Sequence, residues 1–277
     1  MKRTINIKGT ILDVSSPIVM GILNITPDSF SDGGRYVSQD DAIKRAKQMD
    51  DEGASIIDIG GYSSRPNAEN VSEQEEMDRV IPIIEKLSLE IDKPLSIDTF
   101  RSRVADESIK AGASLVNDIS AGSDDLNMIS TVARLKVPYI AMHKQGNPKN
   151  MQVNPQYVDV LQEVYSYLEE VIQKCRYAGI GDVIIDPGFG FGKSLTHNYQ
   201  LLNQLDRFKS LDAPIMVGVS RKSMIYKTLG VDVNGALNGT TFLHAFSLYN
   251  GANILRVHDV KEAMECVRLF NVINENV

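Results

Sequence analysis

The chain has 277 residues, a formal charge of -7 at pH 7, 43% hydrophobic residues and two cysteines. This composition excludes wholesale disorder, and the negative charge excludes a protein that coats nucleic acid through a broad basic face. A few local cations around a small anion remain compatible with it.

No apolar run approaches the roughly twenty residues of a membrane span, and no apolar stretch follows Lys2-Arg3 to make a signal peptide. Cys175 and Cys266 have neither metal-ligand neighbours nor a disulfide-rich setting. The expectation is a cytoplasmic protein with no membrane or nucleic-acid partner.

In chain order, Ile5-Asn6-Ile7 and Ile11-Leu12-Asp13-Val14 flank Lys8-Gly9-Thr10 and predict a hairpin within residues 1–16. Eight short β-like runs follow. Four begin at proline (Pro17 to Asn24, Pro94 to Asp98, Pro138 to His143, Pro214 to Ser220). Four begin at glycine (Gly53 to Gly60, Gly112 to Asp118, Gly179 to Asp186, Gly251 to His258). The two kinds alternate strictly along the chain. Proline lacks a donor and suits the first residue of a strand, whereas glycine suits the left-handed turn that ends a helix.

Helical spacing appears between the runs, at Ala42-Ile43-Ala46-Met49, at Met77-Val80-Ile81-Ile84-Leu87, from Tyr157 to Ala178 and from Glu262 to Val272. Glu73-Gln74-Glu75-Glu76 suits a helix start. Parallel strands need such crossovers, and eight units over residues 17–277 match the roughly 250 residues of a (β/α)8 barrel. A doubly wound open sheet is the structural rival. The expectation is one domain over residues 1–277, with the hairpin plugging the bottom of the barrel formed by residues 17–277.

Each run ends on polar or ionisable residues: Asn24, Asp58, Asp98, Asn117 with Asp118, His143, Asp186, Ser220 leading to Lys222, and Arg256 with His258. In a barrel these ends share one rim, where barrel active sites lie. One such end would be an ordinary turn or cap; all of them together predict a polar small-molecule site. Asp98, Asn117 and Asp186 supply acceptors and one amide, which suits a planar heterocycle with several N–H donors, such as a 2-amino-4-oxopyrimidine ring. Lys222, Arg256 and His258 suit a carbonyl and an anion. Arg256 and His258 are two apart and share one side of a strand, and arginine also stacks on flat rings.

The loops add to this. Asn24 to Gly34 is rich in turn formers and reads as a lid, with Asn24 as an oxygen ligand for Mg²⁺. Asp186 to Ser194 resembles a phosphate loop but has Pro187 where the pattern needs its first glycine. Backbone N–H groups after Ser220, with Ser223, could hold a carboxylate or phosphate. His197 and His244 lack zinc spacing and read as surface or packing residues, and no nucleophilic triad stands out.

At these motifs the sequence resembles the dihydropteroate synthase family, folate-pathway enzymes targeted by sulfonamides. The resemblance is carried by Met20-Gly21-Ile22-Leu23-Asn24-Ile25-Thr26-Pro27-Asp28-Ser29-Phe30-Ser31-Asp32-Gly33-Gly34, Ser96-Ile97-Asp98-Thr99, Asn117-Asp118-Ile119 and Met142-His143. It continues through Asp186-Pro187-Gly188-Phe189-Gly190-Phe191-Gly192-Lys193, Ser220-Arg221-Lys222-Ser223 and Arg256-Val257-His258-Asp259-Val260.

The resemblance implies a (β/α)8 barrel that joins 6-hydroxymethyl-7,8-dihydropterin diphosphate to p-aminobenzoate with Mg²⁺, releasing 7,8-dihydropteroate and diphosphate, in a homodimer. It implies that Asp98, Asn117, Asp186 and Lys222 hold the pterin and that Arg256 stacks on it. Asn24 would bind the metal, and Asn24, Ser64, Arg256 and His258 would meet the diphosphate. Ser64, Arg65, Pro66, Phe189 and Ser223 would lie near p-aminobenzoate. Asp98, Lys222, Arg256 and His258 are the implied catalytic residues, Asp98 facing the pterin cation formed by C–O cleavage ahead of amine attack.

The family's usual Gly-Gly-Glu-Ser-Thr-Arg-Pro-Gly loop here reads Gly60-Gly61-Tyr62-Ser63-Ser64-Arg65-Pro66-Asn67, and Lys144 stands where methionine is frequent. A methyltetrahydrofolate-handling methyltransferase, similar in fold and pterin pocket, and a non-catalytic pterin-binding paralogue are the alternatives. The first would not need the Asn24 loop or the Ser220 motif, and the second would draw its support from the altered Gly60 loop.

Overall fold

The computed structural model describes residues 4–25, 39–62, 71–146, 151 and 153–275. Strands β1 (Thr4–Ile7) and β2 (Thr10–Asp13) form the expected antiparallel hairpin, in which Lys8 and Gly9 both take positive φ (49° and 94°). That is the backbone sense a two-residue hairpin turn requires.

The remaining strands are β3 (Ile18–Asn24), β4 (Ile56–Gly60), β5 (Leu95–Asp98), β6 (Leu115–Asp118), β7 (Tyr139–Met142), β8 (Val183–Asp186), β9 (Met216–Val217) and β10 (Ile254–Val257). All pair in parallel, in the order β8-β7-β6-β5-β4-β3-β10-β9. A parallel bridge from Ile185 to Ile215 and an Ile185 N–H donated to Pro214 O at 2.9 Å join the two ends. The strands therefore run round a ring in chain order, which excludes the doubly wound rival.

Helices α1 (Gln39–Asp51), α2 (Glu73–Glu90), α3 (Ser102–Ala111), α4 (Met128–Leu135), α5 (Val160–Tyr177), α6 (Leu195–Asn203), α7 (Ser223–Leu229), α8 (Leu237–Tyr249) and α9 (Val260–Glu275) pack outside. Among the described residues, no helix is long and apolar enough to cross a membrane.

The alternating strand starts have a visible cause. Gly53, Gly112, Gly179 and Gly251 all have φ between 92° and 127°, so each turns the chain where a side chain would be strained. Pro94, Pro138 and Pro214 lose no ladder donor, while their carbonyls accept N–H bonds from Ile57, Val116 and Ile185 on the preceding strand.

The core has two parts. The main cluster fills the space between strands and helices, and includes the expected Ala42, Ile43, Ala46 and Met49 of α1. In α2, Met77, Val80, Ile84 and Leu87 are buried as expected, with Ile83 buried and Ile81 only partly so. The second cluster joins Ile5, Ile7 and Val14 to Met20, Ile56, Leu115, Ile140, Ile184, Met216 and Ile254 inside the barrel. The hairpin is thus an apolar stopper at the strands' N-terminal end. Asn253 secures it, donating to Val14 O at 3.0 Å and accepting from Ile215 N at 2.9 Å. Two residues further along, the inward positions on the paths of β4, β6, β8, β9 and β10 are Asp58, Asn117, Asp186, Gly218 and Arg256, with Ser96 paired to Asp58 on β5 and the apolar Ile22 and Met142 on β3 and β7, so the lumen turns largely polar within one layer.

Candidate active site

Strand alternation decides which of two adjacent polar residues enters the lumen. Asn117 points inward and donates from Nδ2 to Asp58 Oδ2 at 2.9 Å. Asp118 points outward, where it accepts from Ser120 N, Ser120 Oγ, Gly122 N and Tyr139 Oη, each at 2.7 Å. Asp118 therefore shapes the turn after β6 and is no ligand.

Arg256 spans the pocket from β10. Its Nε donates to Asp58 Oδ2 at 2.6 Å and its Nη2 to Asp98 Oδ2 at 2.5 Å. Lys222 arrives through a strained turn. Arg221 sits at φ 52°, donates its N–H to Thr240 Oγ1 and forks onto both oxygens of Asp259 at 2.8 and 2.9 Å. With Arg221 tethered outward, Lys222 turns inward and donates to Phe189 O at 2.5 Å. A Cβ on Gly218 would lie 3.7 Å from Lys222 Nζ and 3.9 Å from both Asp186 Oδ2 and Arg256 Cβ, so these three groups converge on one opening. A Cβ on Gly60 would lie 3.6 Å from Asn24 Oδ1 and 3.7 Å from Asp98 Oδ2, which places the Asn24 amide beside the same pocket.

The Asp186 loop is held from behind. Lys193, only 2% exposed, has its Nζ 2.8 Å from His143 Nδ1 and donates to Gly188 O at 2.9 Å and Phe191 O at 3.1 Å. Gly188 N donates to Asp186 Oδ1 at 2.7 Å. Gly188 has φ 73°, and a Cβ there would fall 1.8 Å from His143 O, so only glycine lets this loop lie against β7. Lys193 is thus an internal anchor, consistent with the loop's failure to match a phosphate-binding pattern.

Burial dominates the electrostatics. It raises Asp98 to about 7 despite Arg256, with Asp58, Glu76 and Asp118 pushing the same way as burial. Burial also raises Asp186 against the pull of Lys222 and Gly188 N–H. It lowers Lys222 to about 8 and Lys193 to about 7, with Asp186 opposing both shifts. Burial works against the Arg256 charge too, but Asp58 and Asp98 overcome it and raise its pKa further.

Asp98, Asn117, Asp186, Lys222 and Arg256 are therefore brought together, with Asn24 beside them. Ser223 opens α7 next to Lys222. His258 follows β10, its N–H donating to Ser220 Oγ at 3.2 Å and its carbonyl accepting from Arg45 Nη2 at 2.9 Å. The Phe189 ring lies in the main core, so its carbonyl is the part that meets Lys222. Ser64, Arg65, Pro66 and Asn67, and the Thr26 to Gly34 portion of the lid, lie outside the described residues.

Asp58, Lys193 and Glu76 carry more than their sequence positions suggested. Asp58 was legible only as one polar strand end among many. Glu76 belongs to the expected helix start, and it is fully buried there and paired with Arg101. Its spacing from Val80, Ile83, Ile84 and Leu87 on one helix face was the available signal. Of the departures from the family pattern, Tyr62 packs edge-on against Phe100 at 5.3 Å with Arg101 over its ring at 5.6 Å, and Lys144 pairs with Asp124. His197 completes a capping box with Ser194 at the start of α6, and His244 is buried in α8.

Among the described residues, no three His, Cys, Asp or Glu side chains converge as a metal cage. Mg²⁺ commonly takes one or two protein oxygens and completes its shell with substrate phosphates and water. Asn24 Oδ1, beside the Asp98 carboxylate and near cationic groups suited to a diphosphate, fits that pattern.

Comparison with known proteins gives a consistent result. The pterin binding enzyme family matches residues 20–258. Dihydropteroate synthase of Escherichia coli strain K12 is 47% identical over 264 residues, covering 95% of this chain and 93% of its own. The Yersinia pestis dihydropteroate synthase structure, solved with a sulfonamide drug complex, superposes with a TM-score of 0.94 at 43% identity, covering 98% of this chain and 99% of that one. The Xanthomonas albilineans dihydropteroate synthase structure with 4-aminobenzoic acid has a TM-score of 0.92 at 39% identity, covering 99% of each chain.

Proposed function

The chain belongs to the dihydropteroate synthase family of pterin-binding enzymes, and from that premise we propose how its own residues carry the reaction. The reaction joins 6-hydroxymethyl-7,8-dihydropterin diphosphate to p-aminobenzoate and yields 7,8-dihydropteroate and diphosphate. The observation that carries this reading is the convergence of Asp98, Asn117, Asp186, Lys222 and Arg256 on one polar opening above an apolar stopper.

Asp98, Asn117 and Asp186 meet the ring's N–H donors and acceptors, Lys222 donates to its carbonyl, and the flat Arg256 guanidinium stacks on it. Asn24, Ser64, Arg256 and His258 hold the diphosphate. Ser64, Arg65, Pro66, Phe189 through its backbone, and Ser223 lie near p-aminobenzoate, supported by family resemblance and, for Ser223, by its place at the start of α7. Asn24 would hold Mg²⁺, which supplies positive charge to the departing diphosphate.

In the chemical step the bond from the exocyclic carbon to the diphosphate oxygen breaks, and its electron pair leaves with the diphosphate. Asp98, as carboxylate, stabilises the positive charge left on the pterin, while Arg256 and His258 stabilise the leaving anion. The p-aminobenzoate nitrogen then bonds to that carbon and gives its proton to solvent. No strong base is needed, in keeping with a site of carboxylates, amide and cations. One domain over residues 1–277, acting as a homodimer in the cytoplasm, belongs to the same reading, supported by the family resemblance.

The test is diphosphate release and dihydropteroate formation from both substrates, with and without Mg²⁺. Release that p-aminobenzoate fails to accelerate, with no pteroate formed, overturns the assignment.

A further inference from the structure

Arg256 is shared between two carboxylates of unequal situation. Asp58 is fully buried, and its Oδ2 accepts both Arg256 Nε at 2.6 Å and Asn117 Nδ2 at 2.9 Å. Asp98 has a side chain 20% exposed and accepts Arg256 Nη2 on Oδ2 at 2.5 Å. A ring whose N–H groups are read by Asp98 competes with Arg256 for that oxygen. Were Asp98 the only counterion, the competition would strand a largely buried guanidinium, its side chain 19% exposed, a costly arrangement.

Asp58 has capacity to spare. Its Oδ1 is buried and has no hydrogen-bond partner among the described residues, as is also true of Ser96 Oγ at the paired position on the next strand. Guanidinium and carboxylate match as forks, two N–H groups to two oxygens.

We propose that Asp58 is a positioning residue for the synthase reaction, a fixed counterion on which Arg256 swings. Nε stays on Asp58 throughout. When the pterin takes Asp98, the second Arg256 N–H moves to Asp58 Oδ1, so the guanidinium stays neutralised and keeps its plane for the ring and the diphosphate. Asn117, held by the same carboxylate, stays in register with it. The proposal rests on the pterin assignment above.

The test uses Asp58→Asn in the full chain, which keeps shape and removes charge, with 6-hydroxymethyl-7,8-dihydropterin binding followed by calorimetry. The expected result is pterin binding weaker by about tenfold or more, with the p-aminobenzoate KM unchanged within about twofold. Unchanged pterin binding in the folded variant overturns the proposal, and so does a parallel rise in both substrates' constants.

Asp98→Asn and Arg256→Ala separate the two layers of the argument. If neither weakens pterin binding, the pocket assignment falls. If both do and Asp58→Asn does not, only the pivot falls. Should Asp58→Asn fail to fold, the double variant Asp58→Asn with Arg256→Met removes charge and counterion together. A folded double variant supports the counterion role, and an unfolded one overturns it.

Discussion

Replacing Lys193 by methionine tests whether the Asp186 loop is held from inside. The side chain keeps its length and apolar stem, but His143 Nδ1, Gly188 O and Phe191 O lose a partner that now stands 2.8, 2.9 and 3.1 Å away. At about 1 kcal/mol net for each bond, the loss is about 3 kcal/mol. For a chain of this size that lowers the melting temperature by about 6–12 °C. Gly188 and Phe191 flank Phe189, whose carbonyl receives Lys222, so kcat/KM also falls, by about tenfold, as Lys222 loses its fixed position.

A pH signature accompanies the stability change. Burial lowers Lys193 from 10.5 to about 7, so the unfolded chain holds this proton more tightly. Its contribution to stability therefore grows as pH rises from about 7 towards 10.5, and Lys193→Met loses that slope. Urea unfolding at several pH values, with turnover measured on the same samples, reads all three effects. A variant within about 1 kcal/mol of the native chain, with unchanged turnover and pH slope, would refute the anchor.

Two further outcomes follow from the same physics. With Asp98 raised to about 7, kcat/KM rises with pH through about 7 as its carboxylate forms. The stability that the raised pKa confers at low pH is lost as pH climbs from 3.8 through about 7, and Asp98→Asn flattens that window; a native stability curve with no fall there contradicts the assignment. Ile5, 1% exposed in the hairpin, should cost about 2–5 kcal/mol when cut to alanine, measured by urea unfolding. Because the stopper lies at the opposite end from the site, turnover of the folded fraction stays unchanged; a matching loss of kcat/KM would show that the two ends are coupled.

Much of the barrel was legible because its signals are local. A strand starting at Gly112 or Pro138 shows itself through the turn or the missing donor at that one residue. The face of α1 follows from a spacing of three and four. The polar strand ends were legible for the same reason, each closing an apolar run a few residues long. Glu76 illustrates the limit. Its place in an acidic helix start says nothing of burial, which depends on Arg101, distant in sequence and adjacent only once α2 and α3 pack.

By itself, the sequence determined the order and kind of the elements, the apolar stopper and the set of polar residues at one rim, since each rests on short-range sterics and side-chain period. Only the tertiary structure decided which of those residues meet. Ring closure at Ile185 and Ile215 brings the last strands back to the earlier ones. Alternation sends Asn117 inward and Asp118 outward, and the strained Arg221 turn aims Lys222 at the opening while Lys193 is spent inside the wall. The sharing of Arg256 by Asp58 and Asp98 joins residues 198 and 158 positions apart, a separation that no local pattern encodes.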